Sequence, residues 1–190
     1  MRSLIISSSL DASSRSERLA RLYADALTER GVETRLILLK DYPLPRFDNS
    51  EATYQDPTYR TLYDAADRAD GLVLAGPVYN WGPCAELKRF VEVVGATTAS
   101  LRSPFFDKII TFVNAAGLPH SYMAFTPLAV SMVLDFKCIL NPYNVYVHNR
   151  QWTEDALNEE AQARLSKSAG VMAELQERLA NRDYRSQWEI

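Results

Sequence analysis

Cysteine is nearly absent. The 190-residue chain has two, Cys84 and Cys138, far apart in sequence. That excludes a disulfide framework and any paired-cysteine zinc module, and it suits a reducing compartment. Histidine is as scarce: His120 and His148 have no cysteine or carboxylate partners at ligand spacing, so no metal centre is expected. Glycine is thin, with seven residues and no G-x-G-x-x-G run, which removes the dinucleotide fingerprint. Basic residues do not predominate, since 21 Lys and Arg face 24 Asp and Glu for a net charge of −3. Without a basic stripe, nucleic acid is not an expected partner. No apolar run approaches a membrane span, and the apolar stretch at the start is too short for a signal peptide. The expectation is a cytoplasmic protein that engages no membrane.

What the chain has instead is apolar residues, 47% of the total, in two alternating patterns. Short apolar runs at residues 4–7, 34–39, 72–75, 109–113 and 145–147 read as buried strands. Between them the spacing turns helical. Leu19, Leu22, Tyr23, Ala26 and Leu27 share one helical face, and Gly31 ends that helix. Residues 57–69, 86–94 (closed by Gly95) and 123–136 read as further helices. Ala161, Leu165, Ala169, Met172, Leu175 and Leu179 mark a long last one.

This alternation predicts an α/β protein: a flavodoxin-like, doubly wound, five-stranded parallel sheet, strand order 2-1-3-4-5, with helices on both faces. One domain spans residues 1–190, and a tail from about 181 to 190 carries Tyr184 and Trp188, either fraying or docking on a partner subunit. Residues 40–56 form the one long irregular stretch, a lid or a packed surface excursion.

Sheets of this kind bind ligands beyond the carboxyl ends of their strands, where the strand order reverses. The loops after the first, third and fourth strands therefore line one site. The first reads Ser7-Ser8-Ser9-Leu10-Asp11-Ala12-Ser13-Ser14-Arg15-Ser16 and runs straight into a helix. A helix start offers unpaired N–H groups and a favourable dipole, the serines add hydroxyl donors, and Arg15 adds charge, so a phosphate is the natural guest.

The second loop, Gly76-Pro77-Val78-Tyr79-Asn80-Trp81-Gly82-Pro83, sets aromatics among turn formers. Tyr79 or Trp81 can cover a flat heteroaromatic ring, or simply pack on neighbouring helices. The third, Asn114-Ala115-Ala116-Gly117-Leu118-Pro119-His120-Ser121, lets backbone approach a ligand closely, or is an ordinary turn. Cys84, at a predicted helix start, is either a dipole-activated thiolate or a small apolar filler.

The stretch from Ser8 to Ala20 resembles the phosphate loop of the NADPH-dependent FMN reductase family, which usually reads Gly-Ser-x-Arg-x-x-Ser. Pro77-Val78-Tyr79-Asn80, followed by Leu87-Lys88, is similar to that family's second signature, Pro-Glu-Tyr-Asn with a later Leu-Lys. The resemblance runs from Met1 to about Val147. It implies that Ser9, Ser14 and Ser16, with Arg15 beside them, hold the FMN phosphate. It places Pro77, Val78, Tyr79 and Asn80 along the isoalloxazine, and Asn114, Ala115 and Gly117 near its pyrimidine edge; Trp81 is a further candidate to cover the ring, and His120 to donate to that edge. Ser8 and Asp11 depart from the pattern, where the family prefers Gly and Arg, and Val78 replaces Glu.

No nucleophile–base pair or carboxylate pair falls on these loops, so no catalytic side chain is expected; the chemistry belongs to the cofactor. The implied activity is an FMN-dependent NAD(P)H oxidoreductase, with flavin, quinones, azo dyes or metal oxyanions as acceptors, acting as a homodimer or homotetramer. A flavodoxin-like electron carrier that binds FMN without NAD(P)H turnover stands as the alternative. Such carriers typically present a strongly acidic docking face, which a net −3 does not suggest.

Overall fold

The computed structural model describes residues 1–96 and 102–188. The elements run β1 (Arg2–Ser7), α1 (Arg15–Thr28), β2 (Glu33–Leu38), α2 (Glu51–Gln55), α3 (Pro57–Asp67), β3 (Gly71–Tyr79), β4 (Gly82–Pro83) and α4 (Ala85–Gly95). They continue through β5 (Ile109–Ala116), α5 (Thr126–Phe136), β6 (Ile139–Leu140), β7 (Val145–His148), β8 (Trp152–Thr153), β9 (Ala156–Leu157) and α6 (Glu159–Leu179). The main sheet is ordered β2-β1-β3-β5-β6, with β7 also pairing with β5. These pairings are parallel, as the alternation requires.

Side chains alternate across each strand and fill two apolar layers. Leu4, Ile6, Leu72, Leu74, Ile110 and Phe112 face α3, α4 and α5. Ile5, Val73, Val113 and Ala115 face α1 and α6. Each fully buried Leu, Ile or Phe contributes about 1.5–3 kcal/mol, so burial on both faces explains why the strands read as unbroken apolar runs.

Three expectations need correction. The fifth strand is two pieces, β6 and β7. Pro142 cannot donate to the ladder, and the Asn144 side chain takes over: its Oδ1 accepts the Phe112 N–H at 2.8 Å, where a strand carbonyl would otherwise sit. Asn141, fully buried, fixes the break by donating to Thr111 Oγ1 at 3.1 Å and to the Ser168 carbonyl at 3.0 Å.

Secondly, β3 continues through Gly76 and Pro77 to Tyr79 and folds back on β4 as an antiparallel hairpin. Thirdly, Gly95 does not close α4 from outside; it lies in the last turn. A Cβ there would sit 2.7 Å from the Phe105 ring and 2.8 Å from Phe136, so glycine is required for packing. Gly31, at φ +76°, does end α1 as expected.

The 40–56 stretch holds the short α2 and buries Leu44. The tail docks on its own chain: the Ser186 N–H and Oγ donate to the Asp107 carboxylate at 2.8 and 2.5 Å. Among the described residues, no helix is long and apolar enough to cross a membrane.

Candidate functional site

The carboxyl ends of β1, β3 and β5 open into a cleft of about 350 Å³. Its floor is the β1–α1 loop. Ser9 and Ser16 are buried there. Ser14 caps α1, its Oγ accepting the Glu17 N–H at 3.2 Å and lying 2.7 Å from Ser16 Oγ. The first-turn N–H groups of Arg15 and Ser16 have no intrahelical acceptor and stay available. Arg15 stands at the rim, its guanidinium donating to Asn149 Oδ1 at 2.9 Å and lying 5.8 Å from the Trp152 ring centre.

Asp11 pairs with neither Arg15 nor Arg18. Its Oδ1 accepts the Ser13 N–H at 2.9 Å and the Ser13 hydroxyl at 3.0 Å, and these bonds hold its pKa below the usual carboxylate value. Arg18 turns outward to Asp155 at 2.7 Å. Partial burial alone would raise the Glu17 carboxyl, but Lys40 at 2.6 Å and Arg21 at 2.8 Å outweigh it and hold it low. The floor is thus a set of hydroxyl and amide donors whose nearest carboxylates are already engaged.

The two walls are strand ends. Pro77, Val78 and Tyr79 form one; Ala115, Ala116 and Gly117 form the other. Tyr79 is 55% exposed, a ring with an open face. Asn80 and Trp81 make the tip of the β3–β4 hairpin at φ +49° and +61°. Two left-handed residues define a type I′ turn, a conformation that a tryptophan adopts only under strain. Ser8 answers Gly76 across the strands: its Oγ donates to the Ala75 carbonyl at 2.9 Å and occupies the space that a Gly76 Cβ would fill. Cys84 packs behind it, buried, with Sγ 3.2 Å from Ser8 Oγ, which is the filler's role.

A sequence model of NADPH-dependent FMN reductases matches residues 1–146. The chain belongs to that family. No curated protein sequence matches it closely enough to count as a relative. Among solved structures it is similar to RosB with a bound intermediate, 8-demethyl-8-formylriboflavin-5'-phosphate, at 14% identity and TM-score 0.79, covering 97% of this chain and 82% of RosB. It is similar to FerB, an NAD(P)H:(acceptor) oxidoreductase from Paracoccus denitrificans, at 14% identity and TM-score 0.75, covering 93% and 97%. It is also similar to the apo form of the NADH:FMN oxidoreductase EMOB, at 17% identity and TM-score 0.75, covering 96% and 91%. At such identities these three share the fold.

Family membership makes this chain an FMN-dependent oxidoreductase, and the cleft fits that group. The hydroxyls and free first-turn amides are a phosphate's complement. The cleft over the paired ends of β3 and β5, bordered by the half-open Tyr79 ring, suits a flat ring. Of the residues expected from sequence, Ser9, Ser14, Arg15, Ser16, Pro77, Val78, Tyr79, Ala115 and Gly117 converge on the cleft. Asn80, Trp81, Asn114 and His120 do not line it. Asn114 points to the opposite sheet face from Ala115, toward α5. Sequence reasoning missed Asn149. It follows β7 and reaches the rim only through the fold, 134 positions from its partner Arg15.

Proposed function

We propose that this chain takes electrons from NAD(P)H and passes them through bound FMN to a small oxidised acceptor such as a flavin or quinone. The observation that carries this reading is the joining of a hydroxyl-lined anion cradle, at the start of α1, to a cleft over the adjoining ends of β3 and β5. The names of RosB's ligand, of FerB and of EMOB support it.

FMN supplies hydride acceptance and electron release. The chain binds and orients. Ser9, Ser14, Ser16 and the Arg15 and Ser16 amides hold the phosphate, and Arg15, braced by Asn149, adds its charge at the rim. Pro77, Val78 and Tyr79 lie along one side of the ring, and the Ala115, Ala116 and Gly117 backbone faces the other. Backbone N–H groups there would stabilise negative charge on the reduced ring. The acceptor and the nicotinamide share one open face of the ring in turn. The exposed Trp81 is where a second subunit of a homodimer or homotetramer would close that face. The two free, buried thiols suit a cytoplasmic setting.

The test is anaerobic reduction. FMN-loaded protein is mixed with NADPH or NADH, and the visible flavin band is followed. Rapid bleaching by either nucleotide is expected. A bound flavin that stays yellow with both would establish the electron-carrier alternative instead.

A further inference from the structure

The segment that follows β7 lies beyond the family match, which ends at residue 146. It opens with one 3-10 turn, Asn149–Gln151, and runs on into the β8–β9 hairpin. Trp152, buried at the start of that hairpin, packs in the apolar layer that α1 shares with α6. Contacts at Arg15 and Arg18 tie the segment to the first turn of α1. Asn149 Oδ1 accepts from Arg15 at 2.9 Å, the Arg15 guanidinium carbon lies 5.8 Å from the Trp152 ring centre, and Asp155 pairs with Arg18 at 2.7 Å.

Among the described residues that line the flavin cleft, Arg15 is the one cation and Asp11 the one anion. Without Arg15 the side chains of the cleft would carry net negative charge and repel a phosphate. An arginine at an open helix end samples many rotamers and loses that freedom when a ligand fixes it. Here the Trp152 ring and the Asn149 carbonyl oxygen hold the guanidinium before any ligand arrives. Asn149 takes one of the guanidinium's several N–H donors and leaves the others for a guest. A guanidinium only donates, so the amide oxygen is the atom that meets it. The Asn149 NH₂ then falls on the far side, its nitrogen 3.9 Å from where a Gly117 Cβ would stand. One side chain thus spans from the floor's arginine to the β5 wall.

We infer that residues 149–157 form a phosphate-selectivity element. Asn149 and Trp152 are positioning residues: they fix Arg15 at the cradle, where its charge offsets Asp11, and so make the chain choose FMN over riboflavin, the same ring without the phosphate. The inference rests on the flavin reading of the cleft. It assigns the preference for the phosphorylated form to side chains far from the β1–α1 loop in sequence, acting through one arginine.

The test measures Kd for FMN and for riboflavin on the full-length chain by flavin fluorescence. The readout is the ratio of the two, because a general loss of structure weakens both alike. Arg15→Gln should lower the preference for FMN at least roughly tenfold. Trp152→Leu and Asn149→Ala should each lower it about three- to tenfold, and Trp152→Phe, which keeps a ring face for the guanidinium, should retain most of it. Asn149 is exposed, so its variant spares the core even if Trp152→Leu fails to fold. In the Arg15→Gln background Asn149→Ala should leave the ratio unchanged, since its effect passes through the arginine. The inference is overturned, and the flavin reading kept, if Asn149→Ala weakens FMN and riboflavin equally, or lowers the ratio as much without Arg15 as with it. An unaltered chain that binds neither flavin would overturn both.

Discussion

The floor and the walls of the cleft are built on opposite principles. The floor is preorganised by local bonds that link Ser9, Ser14, Ser16, Asp11 and Ser13 within eight residues while leaving donors for a guest, and two of the serines are buried. The walls run from buried Pro77 and Ala115 to exposed Tyr79 and Gly117, and just beyond Tyr79 the hairpin tip at Asn80 and Trp81 is held in left-handed backbone. A phosphate is a permanent guest and rewards a preformed cradle. A ring that must meet two different substrates needs an open face. Affinity resides in the first region and exchange in the second.

Four substitutions break or sharpen this contrast. The largest effect is expected from Ser14→Asp. Aspartate caps a helix as well as serine does, so α1 survives, yet the new charge faces the phosphate and should weaken FMN at least roughly a hundredfold. Titration by quenching of flavin fluorescence measures it; unchanged affinity would remove the floor's assigned role.

Gly76→Ala comes next. Its new Cβ collides with Ser8 Oγ where the floor meets the wall, and should destabilise the fold by about 1–3 kcal/mol in urea unfolding. Adding Ser8→Gly should recover most of that loss, which a clash elsewhere would not allow. Trp81→Gly works the other way. An Asn-Gly pair suits a type I′ turn, so stability should rise by about 1 kcal/mol while NADPH turnover falls. Asp11→Arg gives the smallest effect. Because the Ser13 bonds keep Asp11 ionised well below neutral pH, replacing its negative charge by a positive one should tighten FMN a few-fold at pH 7. Below the usual carboxylate range that advantage shrinks, as the native Asp11 itself gains a proton.

Much of this was legible in the residues, and what was not has physical reasons. Strands and helices follow from apolar periodicity, burial on both sheet faces makes that signal strong, and their alternation points to the doubly wound order. The cradle is legible because hydroxyls, a cap and a helix start are neighbours in sequence. Gly76 and Pro77 look like breakers, so the sequence predicts a β3 that stops at Ala75; in the structure the strand runs on, with Ser8 filling the space beside Gly76. Asp11 departs from the family pattern, and only coordinates show its oxygen turned to Ser13. Asn114 was expected at the flavin's edge, and strand alternation turns it to the opposite face; Asn144 and Asn149 carried no local signal at all. Their roles are long-range, set by which strand end each one meets.

The interruption at Pro142 has a consequence for life in a crowded cell. The outer border of the sheet is divided into a two-residue and a four-residue piece, with a proline between them. The opposite border, β2, places Glu33 and Arg35 along its length. Neither border offers the long, flat, uncharged row of amides on which a neighbouring chain could template a further strand. The break is thus a guard against aggregation, built into the sheet at the point where it would otherwise be open to its neighbours.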